Sequence, residues 1–528
     1  MRLFPMISGQ GRALLAQVAG ALAIAALVAG CGDNYRPTVT PVYSTGPAAQ
    51  PTSYVVVVST TGVGTDGVVT LIDYSGDSIL TEATIGPGPT AFTLDVLGAT
   101  GYTVNSDGTL SNFAITTSLQ TKNVSFSTLS PTSQIVNLMP PSSGLWATDL
   151  NGDVVDLFQG SPQAFKLAIP VATSVSSATM PMFIAGSSSL SGQREYVLSQ
   201  NVPDSPIAIQ TEAVTCNKPA NFGSVSTGVA TPIEISSNTT DPAITVGKCP
   251  VYAVPSSDQQ RLFILNRGDD TISVINTRNN TLDACTPFQN QNGQWVTCHQ
   301  TIQLPAGSGP IYAEYVPATA QLVAANYEGG TISVIDVPLD EYGNDSNTYA
   351  NNNCTTYAAC GAITSGFGTV HTVAVGNTAT PNPASVTVLY DGSKAYTANQ
   401  NDGVQNGTVT VVNLSTYTVE KTITVVGHPR TVVNTQNSEY AKIYTGSPDS
   451  PYITIIESSP TVTDLVDTTV LVEGTVVDVR TTSQNGNSGN NNYSSRVPGY
   501  GQPCNLSPAT MVATYGANYT LAECQAIP

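Results

Sequence analysis

The feature that most narrows what this 528-residue chain can fold into is a stretch that returns. Leu262–Asn276 reads LFILNRGDDTISVIN, and Leu322–Asp336 reads LVAANYEGGTISVID, with Asn in the same place and the same TISVI near the end. An apolar run, a polar turn and a second run with Ile and Val alternating describe an antiparallel hairpin. Looser copies stand at Tyr54–Asp73, Gly101–Phe113, Leu145–Phe158, Glu195–Gln210, Ala395–Asn413 and Ile443–Glu457, which makes eight units. The copy at Ala395–Asn413 has a longer turn.

The better copies extend in both directions. Upstream lies another strand with its own turn, as in Ser385–Asn399, where Asp391-Gly392 is a hairpin signal. Downstream lies a strand such as Thr418–Val426, closed by glycine and proline. The closures are Gly86-Pro87-Gly88-Pro89, Gly247-Lys248-Cys249-Pro250, Gly307-Ser308-Gly309-Pro310 and Gly427-His428-Pro429. Four short strands per repeated unit predict blades of a β-propeller. One blade cannot bury both faces of its sheet, but neighbours stacked round a ring can. That also answers a length too great for one ordinary core. Composition agrees: charged residues are 10%, and 45 Gly and 35 Pro favour turns over helices.

With these residues in view, Leu265-Asn266 followed by Thr271–Ile275, and Ala398-Asn399 followed by Thr408–Val412, resemble the YVTN-repeat β-propeller family. The resemblance is clearest over 250–457. It implies an all-β propeller of four-stranded blades, eight by count, with seven the commoner size in the family. The first unit starts at Tyr54–Val58 with no strand before it, and Thr475–Arg480 is a strand with no unit of its own. The C-terminal strand is therefore expected to complete the first blade and latch the ring, removing open sheet edges. Domains are expected at 1–30 (signal peptide), 31–53 (tether), 54–483 (propeller) and 484–528 (polar spacer and tail).

The N-terminus reads as a targeting segment. Arg2 and Arg12 flank an uncharged run over Ala13–Gly30, which ends Leu27-Val28-Ala29-Gly30-Cys31 and resembles a bacterial lipobox. Cys31 is the expected lipidation site, and a transmembrane anchor is the rival reading. Gly32 after it points to the outer membrane. Pro, Thr and Ser dominate 32–53, as in an extended tether. Without residues 1–30 the chain has 15 basic and 36 acidic residues, a net of 15 − 36 = −21, which repels nucleic acid. The expected partners are the membrane, through the lipid, and a protein or glycan; the chain is expected to be a monomer.

Eight cysteines remain after Cys31. An even number in an exported chain reads as disulfides. They fall in sequence as local pairs: Cys216 with Cys249, Cys285 with Cys298, Cys354 with Cys360, and Cys504 with Cys524. No C-x-x-C occurs and only three His exist, so neither a metal nor another cofactor is expected. Residues 279–306 and 337–375 form long connections that carry two of these pairs.

Candidate chemistry is sparse. His299 lies in an insertion, and His371 lies in a strand, TVHTVAV. His428 and Arg430, in the closure GHPR, are the ligand-binding candidates. Asp149–Asp153 looks like a calcium loop but lacks its Gly and distal Glu, so it reads as a hairpin turn. Arg267-Gly268-Asp269 spells an adhesion tripeptide but fills a repeat turn. No phosphate loop, nucleophile elbow or zinc-protease helix appears. The expected function is a surface-anchored, non-enzymatic binding or scaffold propeller. The alternative is a channel-site enzyme, lactonase-like or quinoprotein-dehydrogenase-like. A cluster of acids, His and Arg from several blades at the channel mouth would favour the alternative.

Overall fold

The computed structural model describes residues 53–482, apart from 63, 96, 141–143, 174–175, 178, 190–191, 202–215, 217–222, 257–258, 260, 278–279, 284–287, 290–294, 297–300, 338–366, 436–440 and 459–463. The expectations for residues 1–52 and 484–528, for Cys31, for His299, and for Cys285, Cys298, Cys354, Cys360, Cys504 and Cys524 fall outside these residues.

Eight antiparallel blades form the ring. Within blade 6, Pro310–Val316 pairs with Gln321–Asn326, then Thr331–Asp336, then Thr369–Ala374. The first of these is buried along its whole length and the last is mostly exposed, so the blade runs from the axis outward. The inner strands of successive blades touch right round the ring: Pro89–Leu94, Ile135–Met139, Pro181–Ser189, Pro250–Pro255, Pro310–Val316, Pro383–Val388, Thr431–Asn434 and Thr475–Thr481. The last closes back onto Pro89–Leu94.

Thr475–Thr481 is thus the inner strand of blade 1. It pairs with Tyr54–Thr60 from Val55 opposite Thr481 to Thr60 opposite Thr475. The seam is reinforced further out. Lys442 Nζ of blade 8 reaches Asp77 Oδ2 of blade 1 at 2.5 Å and the Tyr74 carbonyl at 3.1 Å. Tyr444 donates to Asp77 Oδ1 at 3.0 Å. Lys394 and Tyr396 make the same clamp on Asp464 between blades 7 and 8, each at 2.6 Å. A Lys-x-Tyr on the second strand places both side chains on one face, which is why one acid serves both.

The repeated Asn has a structural explanation. Asn266 Nδ2 donates to Thr271 Oγ1 at 3.0 Å and to Ser273 Oγ at 2.9 Å, the first and third residues of the next strand. Asn326 does the same with Thr331 and Ser333, both at 2.9 Å. Asn399 bonds Thr408 and Thr410, and Asn105 bonds Thr109 and Ser111. The third-residue hydroxyl then accepts a closure amide: Gly86 N to Ser111, Gly247 N to Ser273, and Gly376 N to Thr410. A Cβ on Gly86 would stand 2.2 Å from Asn105 Nδ2, and one on Gly247 would stand 2.6 Å from Asn266 Cγ. Asn, hydroxyl and Gly are therefore one unit that fixes hairpin to closure.

Two details differ from the sequence reading. The second-to-third strand hairpin of blade 4 is not Glu195–Gln210. Gly192–Ser199 pairs on one side with Pro181–Ser189 and on the other with Thr227–Glu234. Pro232 inside a central strand argues against that assignment from sequence. It is tolerated because the outer position is split, with Thr239–Thr240 pairing at Ile233 and Glu234 and Ile244–Lys248 pairing at Thr227–Ala230. Pro232 falls in the gap. Blade 5 splits its outer strand likewise, so Thr301–Gln303 belongs to the blade, as Thr369–Ala374 belongs to blade 6. Both connections are shorter than the sequence suggests. Cys216 and Cys249 are bonded, with their Cα atoms 5.6 Å apart, which ties the blade 4 insertion to the closure entering blade 5.

Candidate functional site at the channel mouth

One end of the ring carries the closures and the turns between second and third strands. Most turn acids there serve the backbone. Asp269 accepts the Lys248 amide at 3.0 Å, Asp270 accepts Gly307 and Gly309 at 2.7 and 2.8 Å, and Asp402 accepts Asn377 and Thr378, each at 2.6 Å. A carboxylate taking amides this way is a structural fixture.

The residue after each repeat Asn behaves differently, because it stands free of the Asn unit. In blade 5 it is Arg267, only 2% exposed despite its RGD setting. Its Nε donates to Glu328 Oε1 at 2.9 Å, and Nη2 meets the same oxygen. In blade 6 it is Tyr327, whose ring centroid lies 5.7 Å from the Arg267 guanidinium carbon. Asn401, in the longer turn of blade 7, bonds the Tyr327 side chain and donates to Asn382 Oδ1 at 3.0 Å. Burial raises the Tyr327 pKa; Arg267 opposes the rise, Glu328 adds to it, and Arg430 and Asn401 oppose it more weakly. The phenol thus keeps its proton as a donor.

Arg430 completes the cluster. It follows Pro429 at the start of blade 8's inner strand, and its amide bonds the Gly446 carbonyl at 3.0 Å. Its guanidinium interacts with Tyr327 of blade 6 and with Asp478 on the inner strand of blade 1. Blades 8 and 1 adjoin at the closing seam, whereas blades 8 and 6 are not neighbours, so the interaction with Tyr327 reaches past blade 7. Burial lowers the Arg430 pKa, with Asp478 and then Tyr327 opposing, yet an arginine stays charged. Its Nε is buried without a hydrogen-bond partner among the described residues. Asp478 accepts Arg480 Nε at 3.1 Å, and Arg480 lies over Phe92.

The two candidates from GHPR separate here. Arg430 interacts with Asp478 and Tyr327, whereas His428 Nδ1 binds Asp449 Oδ2 at 2.5 Å and its amide binds Asp449 Oδ1 at 2.9 Å. His371 lies on the outer strand of blade 6, 3.1 Å from Asp336 and stacked on Tyr417 at 3.8 Å. Asp149–Asp153 is the turn between two strands of blade 3. Among the described residues no three His, Cys, Asp or Glu converge as a metal site would require. Sequence reasoning missed Arg267 and Tyr327. The available signal was that the copies agree on Asn and differ at the next residue.

The fold is an eight-bladed β-propeller in which Arg267, Tyr327, Arg430 and Asp478, from four blades, interact in sequence. No protein-family model and no curated protein matches the chain. Solved structures do match. The dihydro-heme d1 dehydrogenase NirN, in complex with DHE, is 11% identical with a TM-score of 0.53, covering 85% of this chain and 79% of NirN. Apo AztD from Citrobacter koseri is 12% identical with a TM-score of 0.49, covering 81% and 97%. The periplasmic gluconolactonase PpgL of Pseudomonas aeruginosa is 14% identical with a TM-score of 0.45, covering 81% and 98%. These are likenesses of fold, and no residue role passes through them.

Proposed function

We propose that this protein is a propeller tethered to the bacterial cell envelope by a lipid on Cys31, facing out from the outer membrane as a monomer. Its channel mouth binds a glycan or protein ligand through a carboxylate or phosphate. The Leu27–Cys31 ending and the tether-like 32–53 support the anchoring. The Asn…Thr-x-Ser repeats support a place among YVTN-repeat propellers. One observation carries the binding reading: the Arg430 guanidinium interacts with the Tyr327 phenol from two blades away, with a buried Nε that no group among the described residues satisfies. A bidentate anion suits such a donor set.

The test is calorimetry of the purified protein with hexuronates, aldonates and sugar phosphates against their neutral parents, repeated for Arg430→Gln. Acidic ligands alone should bind, and the substitution should weaken them roughly 10- to 100-fold, the equivalent of about 1.5–3 kcal/mol for a bond to a charged group. Equal binding by the variant would sink the proposal. A channel-site enzyme is the second reading. The convergence of Asp478, Arg430 and Tyr327 from three blades favours it, with the His428–Asp449 pair at the same end. Turnover of any bound ligand, lost in Tyr327→Phe, would establish that reading instead.

A further inference from the structure

Blades 2, 5, 6 and 7 carry the Asn–hydroxyl unit, and blade 4 does not. Where those blades have Asn and a Ser or Thr, blade 4 has Ser199 and Thr231, and the Ser199 side chain is too short to span the gap. Both hydroxyls are buried without a partner among the described residues. Facing them from blade 3 are Trp146, fully buried, with an unpartnered Nε1, and Thr148, with an unpartnered hydroxyl. Glu195 lies on the same face of blade 4 as Val197 and Ser199. It is 1% exposed, and its Oε2 is likewise unpartnered. Five orphaned polar atoms therefore line one interface, although buried polar groups are nearly always satisfied.

We infer that the interface between blades 3 and 4 is an internal hydration site built around the Glu195 carboxyl, and that the ring opens first there when this carboxyl ionises. Water is the ligand that fits, because the unpartnered groups are hydroxyls, an indole N–H and a carboxyl, the mixed partners that buried waters use. Glu195 and Ser199 stand about 13 Å apart along their strand, so more than one water is needed. The carboxyl is seated over Gly186, where a Cβ would meet Met139 Cε at 2.7 Å and Glu195 Oε2 at 3.1 Å. Ile233 flanks Glu195 on the third strand. Among the described residues no charged group faces it from Gly186, Ile233, Met139 or Trp146. Arg194 and its partner Glu234 belong to the opposite face of the strand. Burial alone raises the Glu195 pKa, to about 8. The folded state therefore holds the proton in a window where an opened interface releases it.

The sign follows by linkage. Between the ordinary carboxyl value and about 8 the closed form binds more protons, so raising the pH favours opening. Hydrogen exchange of the full-length protein, corrected for intrinsic rates, tests this. Protection in Leu145–Asp149 and Gly192–Ser199 should fall by up to roughly tenfold per pH unit between about pH 5 and 8. Arg261–Asn266 and Gln321–Asn326, the equivalent strands of blades 5 and 6, should stay flat. Glu195→Gln should abolish the pH dependence. Flat protection in blades 3 and 4, or an unchanged slope in Glu195→Gln, would overturn the inference. Should that variant not fold, the contrast between blades within the native protein decides alone.

Discussion

Asn326→Ala probes the unit that the repeat encodes. Asn326 is 0% exposed and donates to Thr331 Oγ1 and Ser333 Oγ, both at 2.9 Å. Each buried bond is worth about 0.5–1.5 kcal/mol net. Two of them, with a small cavity added, predict a loss of roughly 2–4 kcal/mol. Urea denaturation of the purified protein measures it, with folding cooperativity checked first because repeat proteins can lose two-state behaviour. A double-mutant cycle with Ser333→Ala isolates one bond, and a coupling of about 1 kcal/mol is expected. A loss under about 0.5 kcal/mol with additive single effects would refute the idea that Asn holds the hairpin, leaving strand packing as the reason for the repeat.

Two further outcomes follow from the fold. Asp77→Ala removes the acid that Lys442 and Tyr444 share across the closing seam, leaving a buried ammonium unpaired; it should cost about 3 kcal/mol or more and lower the melting temperature, and an unchanged melting temperature would count against the clamp. Asp156 is 4% exposed, and burial, then Asp149, raises its pKa from 3.8 to about 6. The native state therefore binds the extra proton between those values, and stability should fall by up to roughly 3 kcal/mol as the pH rises through them. Denaturation curves across that range should lose this slope in Asp156→Asn.

The repeat carried the blade, the count of eight and the latch into the sequence, because each rests on local alternation and turn chemistry. Blade 4 was not legible, because a proline in a central strand is acceptable only where the outer strand is split, and pairing across a gap leaves no mark in periodicity. Of the candidate cluster the sequence offered Arg430, beside a closure, but Tyr327 and Arg267 stand on turns of other blades, and their meeting depends on how the blades pack. His428 shared the motif yet is drawn to Asp449. Glu195 looks like any strand acid until Gly186 and blade 3 cover it.

A crystal structure with the tightest-binding acidic ligand from the calorimetric panel tests the proposed anion site at the channel mouth. Density for the anionic group is expected within about 3 Å of the Arg430 guanidinium, beside the Tyr327 and Asn401 side chains. Density elsewhere on the ring, with Arg430 untouched, would contradict it.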